Sequence, residues 1–320
     1  MKKIFITRKM VGNKELLLKK ERFYLSIYKE DHPIPKDELI KRVKDVDALI
    51  CHVTDKIDKE VIDSMKKCKV IANYAVGYNN IDVEYANSKG IVVTNTPNVL
   101  TDSTSDIAVS LVLACARRLR EGEEMMRTGK FSGYKPHLLL GIELKGKTVG
   151  IIGAGAIGFA TAKRLKAFGT EIIYFNRSRK EKFGTELSAK KVTLNYLLKS
   201  SDIISVHLPS TKRTLHFLNR ANLRLMKKNS VFVNTSRGEI VEEKFLIEML
   251  IKKKIFAAGF DVYEGEPNVN PELFKLENVF LLPHIGSATI EARTAIAELC
   301  VKNVIAVLSG EKAITPVKAN

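Results

Sequence analysis

Thr148 to Gly169 reads TVGIIGAGAIGFATAKRLKAFG, in which a strand-like run, a glycine turn and a helical pattern follow one another. The turn is G-x-G-x-x-G, formed by Gly153, Gly155 and Gly158. In such a turn the first glycine allows the sharp bend, the second lets a pyrophosphate approach the backbone, and the third lets the helix pack closely on the strand. The helix N-terminus adds free N–H groups and the positive end of its dipole. A glycine turn alone is a weak signal, but in this strand–turn–helix setting it predicts a dinucleotide site.

The end of the next strand indicates which dinucleotide is bound. EIIYF is followed by Asn176, Arg177, Ser178, Arg179 and Lys180, with no acid among them. An acid here would bond the ribose 2′-hydroxyl of NAD and repel a 2′-phosphate, whereas an arginine fork can bind that phosphate. We therefore predict NADP(H) as the cofactor, with Asn176, Arg177 and Ser178 among its contacts, and NAD(H) as less favoured. The alternative is that these are solvated loop charges on a lysine-rich chain.

Short β-rich runs alternate with helical patterns through most of the chain. Runs typical of strands are KKIFIT, FYLSIY, DALICHV, KVIANYAV and IVVTNTP in the first half, and TVGIIG, EIIYF, DIISVHLP, SVFVNTS, FAAGFDVY and VFLLPHIG in the second. One long helical stretch, TDSTSDIAVSLVLACARRLREGEEMMRTG, separates the two series, and another lies near the end of the sequence. Such alternation is typical of parallel sheets covered by helices on both faces. For 320 residues we predict an α/β protein with two doubly wound parallel-sheet domains.

The composition is that of a globular protein, with 45% hydrophobic and 28% charged residues. The opening MKKIFITRKM has no long apolar core, and no run approaches the roughly 18 apolar residues that span a bilayer. We therefore expect a cytoplasmic protein with no membrane partner. The cysteines, Cys51, Cys68, Cys115 and Cys300, show no paired spacing, so we expect buried thiols and no metal, with disulfides or a zinc site as the alternative.

The net charge of +17 raises the question of an anionic macromolecule as partner. The basic residues are spread along the chain in helix-surface runs such as LIKKKIF and RLMKKNS. No helix-turn-helix, zinc-finger or RNA-binding signature accompanies them. We therefore interpret them as solvated faces and expect no nucleic-acid partner.

Three strand ends in the second half carry polar residues. Arg237 follows one strand, Asp261 and Glu266 follow the next, and His284 follows the last. Ligands of open α/β sheets bind beyond the carboxyl ends of the strands, so these residues are candidates for chemistry. Taken singly, each has an ordinary alternative: a surface charge for Arg237, a loop acid for Glu266 and a capping residue for His284.

GAGAIG, NTSRGEIV, GFDVYEGEP and LLPHIGSAT, in this order and spacing, resemble the D-isomer-specific 2-hydroxyacid dehydrogenases. NYAVGYNNIDVEYANSKGIVVTNTPNVLTDSTSDIAVSLVLACARR in the first half is similar to the same family, so the resemblance covers essentially the whole chain. NRSRK and AVGYNNID are most similar to its glyoxylate/hydroxypyruvate reductase branch, whose members use NADPH.

The resemblance implies a domain arrangement and an assembly. A Rossmann nucleotide-binding domain, residues 99–284, would be inserted in a flavodoxin-like substrate domain, residues 1–98 plus 285–320, with the active site in the cleft between them. The family also implies a homodimer built largely from the region after Thr101. Some relatives use a tryptophan in the loop before the glycine turn, but this chain has none and offers only Tyr134 and Leu138 there, which leaves the preferred substrate size open.

The same resemblance implies reduction of a small 2-oxo acid, such as glyoxylate or hydroxypyruvate, to the 2-hydroxy acid by hydride transfer. Arg237 can bind the substrate carboxylate and polarise the carbonyl group. His284, of a residue type that titrates near neutral pH, can give a proton to the carbonyl oxygen. Glu266 would hydrogen-bond the imidazole, fixing its tautomer and favouring its charged form.

Further contacts are implied only by the resemblance. The backbone N–H groups of Val76 and Gly77 would hold the substrate carboxylate, beside Arg237 and His284. The cofactor would contact Gly153, Ala154, Gly155, Ala156, Ile157, Gly158, Thr104, Thr235 and Asp261. His52 could reach the substrate, but we favour a structural role for it.

Two other functions stay open on the sequence. The first is a 2-ketoaldonate reductase, for example one acting on 2-ketogluconate. Arg237, Glu266 and His284 would contact only the 2-oxo carboxylate group, which all of these substrates share. The second is a non-catalytic binding protein of the same fold that senses NAD(P).

Overall fold

The computed structural model describes residues 1–318, and they divide into two compact units. The five-stranded unit comprises Met1–Leu100 and the chain from Ser287 onward, and the seven-stranded unit comprises Thr101–Gly286. The chain thus crosses from one unit to the other twice, after residues 100 and 286. The prediction placed these crossings at 98 and 284.

The five-stranded unit contains one parallel sheet in the order β2-β1-β3-β4-β5, the flavodoxin-like order. Its strands are β1 Lys3–Ile6, β2 Tyr24–Ile27, β3 Ala48–Cys51, β4 Val70–Asn73 and β5 Val92–Thr94. Its helices are α1 Leu16–Lys20, α2 Lys36–Val43, α3 Lys59–Ser64, α4 Val83–Ser88 and α13 Ile290–Leu308, with a 3-10 turn at Val11–Asn13.

Successive side chains of the central strands point to opposite faces of this sheet, so a hydrophobic core forms on each face. All four residues of β3 and of β4 are buried, as expected for a parallel sheet covered on both sides. Ile4, Ala48 and Val70, which are register partners across β1, β3 and β4, pack with residues of α13. The intervening residues Phe5, Leu49 and Ile71 pack on the other face, against α2 and α3.

The seven-stranded unit contains one parallel sheet in the order β12-β11-β10-β9-β6-β7-β8. Its strands are β6 Thr148–Ile152, β7 Glu171–Phe175, β8 Lys190–Lys191, β9 Ile203–Val206, β10 Val231–Asn234, β11 Ala257–Phe260 and β12 Val279–Leu281. Its helices are α5 Thr101–Ala116, α6 Leu119–Arg127, α7 Ala156–Lys166, α8 Glu181–Leu187, α9 Leu194–Ser200, α10 Arg220–Leu223, α11 Glu243–Ile251 and α12 Glu272–Lys275, with a 3-10 turn at Gly238–Ile240.

The strand order reverses next to β6, because β7 lies on one side of it and β9 on the other. This is the Rossmann arrangement, in which ligands bind at the point of reversal, beyond the carboxyl ends of the strands. The glycine turn follows β6 directly. The predicted α/β class, with a Rossmann and a flavodoxin-like parallel sheet, is therefore confirmed.

Two local features differ from the prediction. The helical stretch after Thr101 is two helices, because Arg118 adopts a left-handed conformation with φ of 54° between α5 and α6. No glycine or proline marks this break in the sequence. The short edge strand β8, with both lysines exposed, was not predicted because KK lacks the apolar character of a strand.

The four cysteines lie inside the two units. Cys51, Cys68, Cys115 and Cys300 are all buried and free, which confirms them as buried thiols. Among residues 1–318, no helix combines the length and the apolar character needed to cross a bilayer.

Candidate active site

The glycine turn after β6 has the geometry that a pyrophosphate requires. Gly153 has φ of 100°, and a Cβ there would lie 2.6 Å from the backbone of His207. A Cβ on Gly158 would lie 2.2 Å from the carbonyl oxygen of Gly153, so only glycine fits under the helix. Gly155 has open space where its Cβ would be, and α7 begins there without a side-chain cap. The turn therefore offers unobstructed approach to the first N–H groups of α7.

The end of β7 is neutral and then positively charged. Asn176 accepts a hydrogen bond from the Ala154 N–H at 3.3 Å and donates to the Ser178 carbonyl oxygen at 3.0 Å. It thereby ties this loop to the glycine turn. Arg177 is exposed, and its carbonyl oxygen accepts a hydrogen bond from Lys191 of β8 at 3.1 Å. The loop presents cations and a polar amide where an NAD-selective protein would present an acid.

Arg237, Glu266 and His284 follow three neighbouring strands, β10, β11 and β12. The carboxyl ends of parallel strands lie at the same edge of a sheet, and this places the three segments side by side. The distances between Arg237, Glu266 and His284 along the sequence do not by themselves predict that these segments lie close together.

His284 and Glu266 form a hydrogen-bonded pair. The imidazole Nδ1 lies 2.8 Å from Oε2 of Glu266, while Oε1 of Glu266 accepts a hydrogen bond from the Tyr263 N–H, also at 2.8 Å. His284 has φ of 55°, a left-handed conformation that costs a non-glycine residue energy and so has to be held by its surroundings.

The pair favours an ionised Glu266. Partial burial raises the pKa of Glu266, but the hydrogen bond and charge of His284, the Tyr263 N–H and the charge of Arg237 together outweigh it. The resulting pKa of Glu266 lies below its ordinary value. The carboxylate is therefore ionised at neutral pH and available to the imidazole.

Arg237 is half-buried at the start of the 3-10 turn after β10. Its carbonyl oxygen accepts a hydrogen bond from Asn234 at 2.9 Å, and its own guanidinium donates to the Ser236 carbonyl oxygen at 2.7 Å. Burial lowers the pKa of Arg237, while the carboxylates of Glu266 and Glu239 oppose this. Because a guanidinium titrates far above neutrality, Arg237 remains a cation that can bind a carboxylate.

The Arg237 segment and the Glu266 segment are in direct contact. A Cβ on Gly238 would lie 1.9 Å from the Tyr263 carbonyl carbon, so the two backbones can approach this closely only because residue 238 is glycine. The guanidinium-bearing turn and the carboxylate-bearing turn are therefore packed backbone to backbone.

Asp261 is 1% exposed and fixes the turn that follows His284. Its two carboxylate oxygens accept hydrogen bonds from the N–H groups of Ile285 and Gly286, both at 2.7 Å. Thr104 donates to the Gly286 carbonyl oxygen at 3.2 Å from the other side. Burial raises the pKa of Asp261, against these N–H groups and the charge of His284. Thr104 and Asp261 thus lie beside the His284 turn, and their contact with the cofactor stays a prediction.

The side chain of Thr235 has a hydroxyl group that is unsatisfied within residues 1–318. Its hydroxyl oxygen is buried at the end of β10, yet it has no hydrogen-bond partner among the described residues. A buried hydroxyl is normally satisfied, so this oxygen is available to hydrogen-bond a bound group. This orphaned hydroxyl and the open glycine turn are the two observations by which the seven-stranded unit fits a nicotinamide dinucleotide.

The predicted substrate residues of the five-stranded unit lie in a fixed loop after β4. The carbonyl oxygen of Val76 accepts a hydrogen bond from Asn95 at 2.8 Å, and that of Gly77 accepts one from Asn73 at 2.7 Å. Within residues 1–318, neither N–H donates a hydrogen bond. The two donors are thus oriented but unused, and their role in holding a carboxylate stays a prediction.

His52, which follows β3, is half-buried in the five-stranded unit. Its Nδ1 lies 3.2 Å from the Thr7 hydroxyl, and its ring lies 4.7 Å from that of Tyr74, centroid to centroid. Burial, and then the positive charges of Arg8 and Arg293, lower the pKa of His52 to about 3. An imidazole that stays neutral and contacts Thr7 and Tyr74 favours the structural role.

Two elements of the site were missed at the level of sequence. Gly238 lies inside the quoted NTSRGEIV, but its contact with Tyr263 depends on two segments that are distant in sequence. Glu243, 4% exposed, accepts a hydrogen bond from the Glu264 N–H at 3.0 Å. The only signal for it was an acid in the midst of an apolar helical pattern, IVEEKFLIEML.

Comparison with known proteins agrees with this geometry. Residues 109–286 match the family model described as D-isomer specific 2-hydroxyacid dehydrogenase, NAD binding domain. Over 314 residues the chain is 49% identical to a glyoxylate reductase of Thermococcus litoralis, covering 97% of this chain and 94% of that protein.

Solved structures give the same result. A protein from Thermus thermophilus superimposes with a TM-score of 0.93 at 40% identity, covering 99% of this chain and 100% of the other. An NADPH-dependent glyoxylate/hydroxypyruvate reductase from Sinorhizobium meliloti, solved with NADP and malonate, gives a TM-score of 0.86 at 34% identity, covering 99% and 96%. With its glycine turn, its three polar strand ends and these relatives, the chain belongs to the D-isomer specific 2-hydroxyacid dehydrogenase family.

Proposed function

We propose that this dehydrogenase reduces a small 2-oxo acid, glyoxylate or hydroxypyruvate, to the 2-hydroxy acid with NADPH. The observation that carries the proposal is the His284–Glu266 pair, packed beside Arg237 at the carboxyl edge of a sheet with a dinucleotide turn. Relatives of this chain at up to 49% identity are glyoxylate reductases.

In the proposed reaction the bound nicotinamide supplies a hydride to the carbonyl carbon. Arg237 binds the carboxylate of the substrate and stabilises the negative charge that develops on the carbonyl oxygen. Because Nδ1 of His284 is engaged by Glu266, Nε2 is the ring nitrogen that donates a proton to that oxygen. In the oxidative direction the same nitrogen accepts the proton of the hydroxyl group.

Glu266 has two tasks in this scheme. Its Oε2 holds the proton-bearing Nδ1 of His284, which fixes the ring orientation and the tautomer. Its negative charge stabilises the imidazolium that is present before proton transfer. Asp261 and Thr104 hold the turn on which His284 is mounted. The N–H groups of Val76 and Gly77 are proposed to hold the substrate carboxylate.

We assign the cofactor as NADP(H) rather than NAD(H). Asn176 replaces the acid that would repel a 2′-phosphate, and the exposed Arg177 and Ser178 follow it. Lys191 adds a further cation to this loop through its hydrogen bond to Arg177. The pyrophosphate would be held by the turn from Gly153 to Gly158.

The experiment is NADPH oxidation by the purified protein with glyoxylate, hydroxypyruvate and 2-ketogluconate. We expect turnover with the first two, and a higher kcat/KM with NADPH than with NADH. Preference for 2-ketogluconate would favour the 2-ketoaldonate reductase instead. Binding of NADPH without turnover of any 2-oxo acid would favour the NAD(P)-sensing protein and would refute the proposed function.

The cofactor assignment has its own test. In Arg177→Asp we expect the ratio of kcat/KM for NADPH over NADH to fall by about 10²-fold, because a charge-assisted phosphate contact is replaced by repulsion. Arg179→Asp, two residues along the same loop, gives the matched comparison. An unchanged ratio in Arg177→Asp would mean that the loop charges are merely solvated.

We also propose a homodimer formed by the region after Thr101. In this region large apolar side chains are exposed: Leu119, Met126, Phe131, Tyr134 and Leu140, with Tyr134 89% exposed. Exposed apolar side chains concentrated in one segment favour an interface over a free surface. Sedimentation equilibrium should give twice the 35.8 kDa chain mass, and Phe131→Lys should shift it toward the monomer.

The free cysteines support a reducing compartment, and we propose the cytoplasm, to be checked by cell fractionation.

A further inference from the structure

Glu243 is a buried acid that the proposed reaction does not use. It is the first residue of α11, is 4% exposed, and accepts a hydrogen bond from the Glu264 N–H at 3.0 Å through Oε2. Burial, together with the nearby charges of Glu264 and Glu266, raises the pKa of Glu243, while the Glu264 N–H opposes this. Burying a carboxyl group beside two others is costly unless the contact it makes is needed.

The contact that Glu243 makes is with the turn that carries Glu266. In that turn the Tyr263 N–H donates to Oε1 of Glu266 at 2.8 Å, and Gly265 has φ of 80°. Glu264, the next residue after Tyr263, donates its N–H to Glu243 instead. Two successive N–H groups of this turn therefore bond two different carboxylates, that of Glu266 from within the turn and that of Glu243 from α11.

The same turn is supported by Gly238, five residues before Glu243. The missing side chain of Gly238 lets its backbone lie against the Tyr263 carbonyl group and the Glu264 nitrogen. The segment from Arg237 to Glu243 thus touches the turn at both ends, through backbone contact at Gly238 and through a carboxylate at Glu243. A shift of this turn would move Oε2 of Glu266 away from His284.

We propose that Glu243 is a positioning residue that holds the Tyr263–Glu266 turn and thereby keeps the Glu266 carboxylate within hydrogen-bond distance of His284. The inference rests on the proposed function, in which Glu266 acts on His284. Glu243 itself touches neither the reacting atoms nor the imidazole. Its effect on turnover passes through Glu266.

The neighbouring Glu242 provides a matched control. It stands one residue earlier at the same helix start, so both acids interact alike with the helix dipole. Glu242, however, accepts a hydrogen bond from the Arg220 N–H at 2.7 Å, and among residues 1–318 its carboxylate makes no hydrogen bond to the Tyr263–Glu266 turn. A general effect of charge at this helix end would therefore appear equally in variants of Glu242 and Glu243.

Three variants of Glu243 separate the effect of its side-chain length from the effect of its charge. Glu243→Gln keeps an oxygen that can accept from the Glu264 N–H, so we expect kcat within about threefold of the wild type. Glu243→Asp keeps the charge, but its shorter side chain moves the carboxylate away from the turn. Glu243→Ala removes the carboxylate. In both variants we expect kcat to fall roughly tenfold. Glu242→Ala should change kcat by less than about twofold. In all variants the NADPH Kd, measured by fluorescence, should stay unchanged.

A double-mutant cycle with Glu266 decides whether the effect passes through that residue. In a Glu266→Gln background, Glu243→Ala should cost less than about twofold in kcat, because the group that it positions is already impaired. A full tenfold loss in both backgrounds would overturn the proposal. So would equal losses in Glu243→Ala and Glu242→Ala, or a loss that follows only the folded fraction in thermal melts.

Failure of this inference is distinguishable from failure of the proposed function. If the wild-type protein turns over no 2-oxo acid, the proposed function fails before any variant is made. If it does, and Glu243→Asp and Glu243→Ala keep wild-type kcat, only the positioning role is refuted. If Glu243→Ala does not fold, the comparison of Glu243→Gln with Glu243→Asp carries the same decision.

Discussion

His284 and His52 each follow a strand of a parallel sheet, β12 in one unit and β3 in the other, but their surroundings are opposite. His284 is partly exposed and hydrogen-bonded to the carboxylate of Glu266. His52 is hydrogen-bonded to the Thr7 hydroxyl, and the charges that lower its pKa are those of the cations Arg8 and Arg293. The carboxylate beside the imidazole is what separates a group suited to carry a proton from one that is kept neutral.

Asp55 shows that a nearby acid is insufficient to make a second imidazole–carboxylate pair. It lies three residues after His52, is 2% exposed, and accepts hydrogen bonds from the Thr7 hydroxyl and from the His52 backbone N–H. Its carboxylate therefore bonds the loop rather than the imidazole ring. Burial raises the pKa of Asp55, which further weakens it as a counter-ion for His52.

The largest difference should appear when each histidine is replaced by glutamine. For His284→Gln we expect kcat/KM to fall by about 10³-fold, since a positioned acid contributes on the order of 10²- to 10⁴-fold. For His52→Gln we expect kcat to change by less than about threefold. Steady-state kinetics of both variants, with NADPH binding as the control, makes the comparison. Equal losses would mean that His52 takes part in the reaction.

Removing the carboxylate should impair proton transfer by His284. For Glu266→Gln we expect kcat/KM to fall about 10- to 100-fold at neutral pH, because the amide still orients the ring but no longer stabilises its charge. Asp55→Asn should leave kcat within about threefold, since Asp55 does not bond the ring of His52. Equal losses of activity in Glu266→Gln and Asp55→Asn would contradict the claim that only Glu266 acts on a histidine ring.

The pH profile tests the same carboxylate. The pKa of Glu266 lies below its ordinary value of 4.5, so the wild-type kcat/KM should begin to fall only below that pH, when Glu266 becomes protonated. In Glu266→Gln this acid limb should be absent. The stability contribution of Glu266 has the same sign: it is present above the pKa of the unfolded chain and is lost as pH falls through the lower, folded pKa. Folding must therefore be monitored by circular dichroism at each pH.

His52 should instead affect stability in acid. Its folded pKa of about 3 lies below its ordinary value of 6.5, so between these values the unfolded chain binds the proton more readily. Its stabilising contribution is therefore present above pH 6.5 and is lost as pH falls toward 3, by at most about 1.4 kcal/mol per pH unit. Urea unfolding at pH 7 and pH 5 should show a smaller acid loss in His52→Gln than in the wild type.

The smallest expected signal is spectroscopic. The ring carbon and proton resonances of His52 should not titrate between pH 7 and 5, because the imidazole stays neutral in the folded protein. Titration of His52 within this range would show that its burial is weaker than the Thr7 and Tyr74 contacts indicate.

The sequence was sufficient to predict the fold, and it named the three residues whose segments lie together in the candidate site. Strand, glycine turn and helix are local, so TVGIIGAGAIGFATAKRLKAFG predicted β6, the turn and α7 correctly. The two parallel sheets followed from the alternation of apolar and helical runs. The three polar strand ends were visible because Arg237, Glu266 and His284 follow apolar runs of the kind that form parallel strands, and ligands bind beyond the carboxyl ends of such strands.

What the sequence did not predict depends on contacts between distant segments. Arg118 breaks the helical stretch although neither glycine nor proline marks the position. The contact of Gly238 with Tyr263 and the bond from Glu264 to Glu243 require the register of β10 and β11 and the path of the turns after them. The difference between His52 and His284 arises in the same way, since their neighbours come from other strands and helices.

The place of β12 in its sheet has a consequence for the response to heat. β12 is the outermost strand, three residues long and paired on one side only, whereas β6 lies inside the sheet between β7 and β9. Outer strands fray first, so His284, the proposed proton donor, should lose its alignment at temperatures where the glycine turn is still intact. Catalysis should then fade reversibly on warming while cofactor affinity persists, and global melting should follow at a higher temperature.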